Sequence, residues 1–159
     1  YATDPHLAAC VGMVLQDLEP STVVDFGCGT GMLSAAASVV GVDFVLGVDL
    51  DLEALKDAAA VELGIDYILA DVFRAPLFLR SGFFDVCIAN PPFGTKNNVG
   101  IDGQFVEAAV RVAPICLSMH KSACRNVLLK RFTTDTTRSS VVAEMSFDLP
   151  KQYRFHKDS

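Results

Sequence analysis

The sequence lacks the features that define several large classes of protein. No uninterrupted apolar stretch approaches the ~20 residues that a membrane-spanning helix needs. Its five cysteines form no C-x-x-C pair and its three histidines stand apart, so we expect no metal ion in this chain. The odd cysteine count favours reduced thiols, which predicts an intracellular protein of the nucleus or the cytoplasm. No signal-peptide pattern is visible, but the chain does not begin with methionine, so its start does not settle targeting.

Basic side chains are scarce in the first 95 positions, which hold 3 of them against 13 acidic ones, whereas the rest of the chain holds 10 basic and 6 acidic. The net charge of −6 argues against a general nucleic-acid binder. Lys96 and Lys121 each follow the end of a predicted strand, where we favour contact with phosphate. For Lys130 and Arg131 a solvated helix face is the better interpretation.

Apolar runs of strand type alternate with helical segments along the chain. With 51% hydrophobic residues among 159, the chain can bury a core, and we predict a single domain over residues 1–159. The alternation predicts an α/β fold, a mostly parallel, doubly wound sheet with helices on both faces. Four predicted strands end at Asp25, Asp49, Asp71 and Asn90, and two more cover residues 115–119 and 141–149. The predicted helices cover residues 52–63, 104–112 and 122–132.

A glycine-rich loop connects the first predicted strand to the helix after it. Residues 25–31 read Asp-Phe-Gly-Cys-Gly-Thr-Gly. Glycines tolerate positive φ and allow close approach of a ligand, and a helix N-terminus offers unpaired N–H groups. A dinucleotide fingerprint would need its third glycine where Met32 stands, so the spacing departs from the NAD pattern. Asp25 and the alternating glycines fit an S-adenosylmethionine loop instead.

Two further aspartates, Asp49 and Asp71, end the next two predicted strands. Asp49 lies at about the distance from the loop where a ribose-binding acid is expected. Either aspartate alone could equally be a helix N-cap. In a doubly wound sheet the ligand lies beyond the carboxyl ends of the strands where their order reverses, so we expect Gly27 and Asn90 to face one crevice.

The tetrapeptide Asn90-Pro91-Pro92-Phe93 closes the fourth predicted strand. An exocyclic amine on a nucleobase is a poor nucleophile because its lone pair is delocalised into the ring. The Asn90 side-chain oxygen and the Pro91 carbonyl could accept its two N–H bonds, and the two prolines hold these acceptors still. Phe93 could stack on an extruded base. The simpler interpretation is a Pro-Pro turn with Phe93 in the core.

Four segments together resemble the methyltransferase-like N6-adenine enzymes of small-subunit ribosomal RNA: residues 1–9, 25–31, 90–98 and 117–122. The core of the third segment is shared with DNA adenine methylases and release-factor glutamine methylases, whereas its extension to residue 98 is more specific. The resemblance implies a Rossmann-like class I methyltransferase fold whose final strand is missing from this chain. It also implies S-adenosyl-L-methionine as cofactor, with S-adenosylhomocysteine as product.

The resemblance also assigns residues to a site. Asp49 is expected to accept hydrogen bonds from ribose hydroxyls and Asp71 from the cofactor adenine. The catalytic residues are then Asn90, Pro91, Pro92 and Phe93, and the cofactor contacts are Thr3, Gly27, Thr30, Met32, Asp49, Asp71 and Val72. We add Tyr1, Asp25, Gly29, Gly31 and Asn90 to the cofactor-binding set, and we expect the substrate at Phe93, Lys96 and Lys121.

The leading hypothesis is transfer of a methyl group from S-adenosylmethionine to N6 of an adenosine in small-subunit ribosomal RNA. Two alternatives stay open. A protein glutamine N5-methyltransferase would present a side-chain amide to the same two acceptors, and a non-catalytic S-adenosylmethionine-binding assembly factor would use the loop alone. The extension at residues 94–96 and the opening at residues 3–5 favour RNA.

Apolar side chains crowd the predicted connection between strands three and four, and the mean hydropathy of +0.36 is high for a free-standing domain. We expect strand three at the sheet edge, where unpaired backbone groups invite strand addition by another chain. The alternative is a loop folded back over the helix at 52–63. The resembled family works with a small zinc-binding activator subunit, which we expect to form an obligate heterodimer by pairing along Tyr67, Ile68, Leu69 and Ala70. The crowded side chains are Phe73, Leu77, Phe78, Leu79, Phe83 and Phe84.

Overall fold

The computed structural model describes residues 3–92 and 100–145. The chain divides into one unit up to Lys121 and a second from Ser122 onwards. In the described part of the chain, no helix is both long and apolar enough to cross a membrane. The first unit contains α1 (Pro5–Leu18), β1 (Thr22–Phe26), α2 (Met32–Val39), β2 (Phe44–Asp49), α3 (Leu52–Ala59), β3 (Asp66–Leu69), β4 (Val86–Ala89), α4 (Ile101–Ala109) and β5 (Ile115–Ser118).

The five strands form one parallel sheet in the order β3-β2-β1-β4-β5. This confirms the predicted α/β fold with a doubly wound sheet and places β3 at an edge. The strand order reverses between β1 and β4, whose last residues Phe26 and Ala89 are register partners. The loops that follow these two strands therefore lie side by side at the carboxyl edge of the sheet, which is where such folds bind ligands.

Alternate residues of each strand enter two separate apolar layers, as the period of a strand requires. On one face Val23, Val45 and Ile88 pack with Leu15 of α1 and Leu33 of α2. The opposite face includes the larger cluster, and α4 contributes Phe105, Ala108 and Ala109 to it. The sheet is thus covered on both faces, which explains the near-continuous apolar runs of β1, β2 and β4.

α1 is absent from the sequence predictions, yet it covers β1 together with α2. Asp4 is its N-cap, accepting a hydrogen bond from the His6 N–H at 2.8 Å, and Pro5 occupies the first turn. The helix ends at Glu19, which adopts a left-handed conformation. The Asp-Pro pair is a recognisable helix start, and Ala8 and Leu15 lie on its buried face. This signal was sufficient to predict the helix.

Several predicted boundaries are wrong by two to four residues. α3 ends at Ala59 and not at residue 63, because Glu62 and Gly64 adopt left-handed conformations that break the helix. α4 starts at Ile101 and not at residue 104, because Gly100 in the left-handed region provides its N-cap. β3 ends at Leu69, so Asp71 lies in the turn after it.

The strand predicted at 141–149 is the largest error. Residues 141–145 are exposed and form no strand, and the remainder of that prediction lies outside the described residues. A single strand is unstable without a neighbour that completes its hydrogen-bond ladder. Within the second unit, which contains α5 (Arg125–Phe132), Glu144 instead forms an ion pair with Arg125 at 2.6 Å. Arg125 therefore has a partner within its own unit.

At the amino edge of the sheet, Asp85 connects β4 to β1. Its Oδ2 accepts hydrogen bonds from the Ser21 and Thr22 backbone N–H groups at 2.9 and 3.0 Å and from the Thr22 hydroxyl at 3.2 Å. These bonds, first that from the Thr22 N–H, hold the pKa of Asp85 below its ordinary value of 3.8. The carboxylate therefore stabilises the fold in its ionised form.

Asp85→Ala should lower the free energy of unfolding at neutral pH by about 1 kcal/mol, since three donors lose a charged acceptor but stay within reach of water. A group with a lowered pKa stabilises the fold above its ordinary value of 3.8, and this contribution disappears as the pH falls through the lowered pKa. Urea unfolding at several pH values measures this difference. Asp43→Ala, at an exposed position before β2, is the control. A difference that persists unchanged in strong acid would contradict the prediction.

Candidate functional site

The glycine-rich loop after β1 turns through three left-handed residues. Gly27, Gly29 and Gly31 have φ values of 70°, 53° and 81°, a region that residues with a Cβ rarely adopt. Two hydrogen bonds join the loop to the end of β2: the Gly27 and Cys28 N–H groups both donate to the Val48 carbonyl, at 2.8 and 3.2 Å. The alternating glycines of the sequence are thus a conformational requirement of this turn.

Asp49, the last residue of β2, is hydrogen-bonded to the same loop through its side chain. Its Oδ2 accepts a hydrogen bond from the Gly29 N–H at 2.7 Å, and its Oδ1 accepts one from the Asp51 N–H at 2.9 Å. The N-cap of α3 is Asp51, whose side chain accepts from the first N–H groups of that helix. Asp49 therefore is not a helix cap. Its half-exposed carboxylate lies beside the glycine loop at the carboxyl edge of the sheet.

Asp71 lies in the turn after β3, where its Oδ1 accepts a hydrogen bond from the Phe73 N–H at 2.9 Å. The Asp71 carbonyl also accepts bonds from the Arg74 and Ala75 N–H groups, at 2.9 and 3.0 Å. Val72, the next residue, is buried in the larger apolar cluster. The aspartate fixes a turn at this edge and keeps a partly exposed carboxylate.

Asp25 lies in β1 and is fully buried under the loop. Its Oδ2 accepts a hydrogen bond of 2.6 Å from the Ser34 hydroxyl in α2, whereas its Oδ1 has no hydrogen-bond partner among the described residues. Burial raises the pKa of Asp25 to about 7, with a smaller contribution from the negative charge of Asp49, against the lowering effect of Ser34. The carboxyl and the hydroxyl together join β1 to the first turn of α2.

Asn90 follows β4 at the same edge. Its Nδ2 donates a hydrogen bond to the Thr3 hydroxyl at 3.0 Å, which orients the amide and leaves the Oδ1 end as an acceptor. Pro91 is buried and Pro92 is exposed, and neither follows a cis peptide bond. Because Phe26 and Ala89 are register partners, Gly27 and Asn90 begin adjacent loops, as the sequence predicted.

Three of the other predicted site residues follow strands or loops of this edge, and three lie outside the described residues. Thr30 is exposed in the loop, and Met32 begins α2 directly after it. Lys121 is exposed at the end of the first unit, three residues after β5. Tyr1, Phe93 and Lys96 lie outside the described residues, and so does the rest of the segment from 93 to 99.

Sequence reasoning missed two side chains here. Ser34 is buried in α2 as the partner of Asp25, and the only sequence signal was a polar residue in an alanine-rich helix. His120 lies next to the end of β5, with its Nε2 at 2.7 Å from the Ser118 hydroxyl, and burial lowers its pKa. The Met119 N–H donates to the Ala89 carbonyl, so the segment that contains His120 leaves β5 at the same edge of the sheet at which Asn90 follows β4.

No group of three or more histidine, cysteine or acidic side chains in residues 3–92 and 100–145 is arranged to hold a metal ion. The polar groups collected at the carboxyl edge are instead carboxylates, one amide and backbone N–H groups around a glycine turn. Such a set can bind a ligand that carries hydroxyls and cationic groups, and it can accept hydrogen bonds from an amine.

The methyltransferase small domain family matches residues 9–120 of the chain. The chain belongs to this family. It is 40% identical to the rRNA N6-adenosine-methyltransferase of Caenorhabditis elegans over 171 aligned positions, which take in 99% of this chain and 80% of that protein. It is 38% identical to the corresponding Drosophila melanogaster enzyme, over 99% of this chain and 78% of that protein.

Solved structures agree with this family fold. The Pyrococcus horikoshii protein PH1948 superimposes with a TM-score of 0.71 and 26% identity, covering 83% of this chain and 69% of that one. TrmN from Thermus thermophilus gives a TM-score of 0.61 and 30% identity, over 80% of this chain and 40% of its own. The chain therefore has the Rossmann-like fold of the class I methyltransferases, with a five-stranded parallel sheet and helices on both faces in its described part.

The buried Asp25 predicts an unusual pH dependence of stability for this methyltransferase. Between the ordinary pKa of 3.8 and about 7 the folded chain retains a proton that the unfolded chain has released, so stability should fall as pH rises. Asp25→Asn removes this titration and should flatten the profile, with a slope difference of at most about 1.4 kcal/mol per pH unit. Denaturant titrations at intervals from acid to neutral pH measure both curves.

The control is Asp57→Asn, which makes the same substitution at an exposed carboxylate on α3. It should leave the dependence of stability on pH as in the wild type. Parallel stability profiles for the wild type and Asp25→Asn would show that Asp25 does not retain its proton on folding.

Proposed function

We propose that this chain transfers a methyl group from S-adenosyl-L-methionine to N6 of an adenosine in small-subunit ribosomal RNA. The observation that carries the proposal is the position of Asn90 beside the glycine loop, at the point where the strand order reverses. Membership of a methyltransferase family and near full-length similarity to rRNA N6-adenosine-methyltransferases support it.

The residues of the loop fit the proposed cofactor. The left-handed glycines leave no side chain between a ligand and the backbone, and a Cβ at Gly29 would meet nothing within 4 Å. Asp49 has each oxygen engaged once by a backbone N–H, so each keeps a lone pair for a ribose hydroxyl. The bound cofactor supplies an electrophilic methyl group on a sulfonium. The chain supplies the shape and the acceptors that hold it.

On the substrate side, Asn90 and Pro91 act as acceptors. The Asn90 amide is held by Thr3, so its oxygen and the Pro91 carbonyl can take the two N–H bonds of an amine without further ordering. Accepting both bonds turns the nitrogen lone pair toward the methyl group. No general base is required at this step, because a methylated amino nitrogen is strongly acidic.

The two alternative functions differ from this one in testable ways. A glutamine side-chain amide would meet the same acceptors, so the geometry of Asn90 by itself does not distinguish RNA from protein. A cofactor-binding assembly factor would need the loop but not the amide. Similarity to enzymes named for ribosomal RNA favours the first function, and the reduced cysteines favour an intracellular site of action.

Asn90→Ala should reduce methyl transfer to small-subunit ribosomal RNA about 100-fold or more, because an acceptor used in the transition state is lost. Affinity for the cofactor should stay near the wild-type value. Asp49→Ala should instead weaken cofactor binding, since hydrogen bonds from the ribose hydroxyls to a charged acceptor contribute about 1.5–3 kcal/mol each. Transfer of tritium from labelled cofactor measures activity, and calorimetry measures cofactor binding.

The same assay on a glutamine-containing release-factor peptide separates the enzyme hypotheses. Transfer to the peptide and not to RNA would replace the proposed function with glutamine methylation. Cofactor binding by the wild type without transfer to either substrate would support the assembly role. A large loss of cofactor affinity in Asn90→Ala would show that its role is misassigned.

We also propose that a small zinc-binding activator subunit pairs along β3 at Tyr67 to Ala70. Within residues 3–92 and 100–145, β3 is bonded to β2 on one side and to no strand on the other, so that backbone edge could accept another strand. Leu69 of β3 and Leu77 and Phe78 of the connection that follows it are more than half exposed. Other apolar residues of the same connection have partners within the chain: Phe84 is buried and Phe83 packs edge-on against Phe44 and Phe84.

Expression of the chain alone should give a poorly soluble protein, and co-expression with its partner should give a soluble one-to-one complex that carries the zinc. Leu77→Asp places a charge on a side chain that is 78% exposed in the connection after β3 and should weaken the complex. Val39→Asp, at a position 76% exposed on α2, is the matched control and should leave the complex intact. Gel filtration with zinc analysis measures both.

A chain that is monomeric, soluble and fully active on its own would contradict the heterodimer. Equal effects of the two charged variants would show that the complex does not use this connection.

A further inference from the structure

One row of residues crosses the sheet directly below the glycine loop. Tyr67 of β3, Gly47 of β2, Asp25 of β1 and Ile88 of β4 are register neighbours on four adjacent strands. Side chains that share such a row point to the same face of the sheet. Gly47 is the member without a side chain, so the row has a gap between Tyr67 and Asp25.

The Tyr67 ring occupies this gap. A Cβ built on Gly47 would lie 2.5 and 2.7 Å from ring carbons Cδ1 and Cε1 of Tyr67 and 2.9 Å from the Cys28 sulfur. Real Cβ atoms do not approach other atoms so closely, so no other residue fits at Gly47 without displacing the ring. Glycine in the interior of a strand weakens the strand, and close approach of another group is one reason for its presence.

The far end of the same ring reaches the glycine loop. A Cβ built on Gly31 would lie 2.7 Å from the Tyr67 hydroxyl oxygen and 3.0 Å from Cβ of Ala58 in α3. Gly31 has a φ of 81° and is the N-cap of α2. Tyr67 therefore extends from the edge strand, across β2, to the residue at which the loop becomes a helix.

The pKa of the Tyr67 hydroxyl agrees with its position under Gly31. Burial is the main reason that the pKa of Tyr67 is raised to about 12. The Tyr67 hydroxyl therefore keeps its proton at neutral pH. Ile68, the next residue, packs in the cluster on the opposite face of the sheet, so the alternation of β3 places Tyr67 on the face that carries Gly47 and Asp25.

We propose that Tyr67 is a positioning residue for cofactor binding: its ring fills the space above Gly47 and supports Cys28 and Gly31 from the side of the sheet, so that the loop keeps its ligand-binding conformation. The identity of the ligand in this inference rests on the proposed function. Tyr67 acts through the loop and need not contact the cofactor. Loss of the ring should therefore increase the freedom of the loop and raise the cost of ordering it on binding.

The test compares the same kind of truncation at two ends of the sheet. Tyr67→Leu keeps an apolar side chain but no longer reaches Gly31. Phe44→Leu removes a ring at the amino end of β2, where Phe44 packs on Phe83 and Phe84. Both variants should lose some thermal stability. Only Tyr67→Leu should weaken cofactor binding, by about tenfold in Kd, with Phe44→Leu within about twofold of wild type.

The full-length protein, together with its partner subunit if the chain needs one, is titrated calorimetrically with S-adenosylhomocysteine, and KM and kcat are measured for S-adenosylmethionine. In Tyr67→Leu the KM should rise with kcat changing less than threefold, roughly, because the loop binds the cofactor and does not hold the reacting amine. Tyr67→Phe keeps the ring above Gly47 and should restore affinity to within about threefold of wild type.

Gly47→Ala is an independent variant that displaces the ring without removing it, and it should weaken binding in the same direction. Cofactor affinity within twofold of wild type in both Tyr67→Leu and Gly47→Ala would overturn the inference, and so would equal losses in Tyr67→Leu and Phe44→Leu. A wild-type protein that binds neither cofactor form would instead overturn the proposed function.

Discussion

The left-handed turn between β1 and α2 is the constraint on which the site depends. Three glycines adopt a conformation that a Cβ would strain, and the turn is held where it meets its neighbours. The Val48 carbonyl and the Asp49 carboxylate accept three of its backbone N–H bonds. Below it, Asp25 and Ser34 join the strand to the helix. The loop is thereby fixed before any ligand binds, which lowers the entropy that binding must remove.

The fold keeps groups here that stability alone would not favour. Burying Asp25 with one oxygen lacking a hydrogen-bond partner in the described part of the chain is costly, and its raised pKa reflects that cost. Gly47 weakens a central strand, but the absence of a side chain there leaves room for the Tyr67 ring that lies across the strand. Unfavourable local choices of this kind cluster at functional sites. Their concentration under one loop is a physical argument for a binding site that is independent of sequence similarity.

The parts that sequence analysis predicted are those with strong local signals. The strands β1, β2 and β4 are nearly continuous apolar runs with a polar residue at or next to the carboxyl end, and their parallel arrangement follows from the alternation with helices. The largest error arose where a contact distant in sequence decides the structure. The run at 141–145 has strand-like composition but no neighbouring strand among the described residues of its own unit. The ends of α3 and α4 depend on left-handed residues, which periodicity does not reveal.

The sequence by itself determined the chemistry of the site: a glycine loop, carboxylates at strand ends and an amide followed by two prolines, since each is a local pattern with a local physical reason. Only the tertiary structure decided which of these groups act together. The strand order places Asn90 next to Gly27, ties Asp49 to Gly29 and brings Tyr67 of the edge strand under Gly31. These contacts join residues that are far apart in the chain, and register between strands, which composition does not encode, sets their distances.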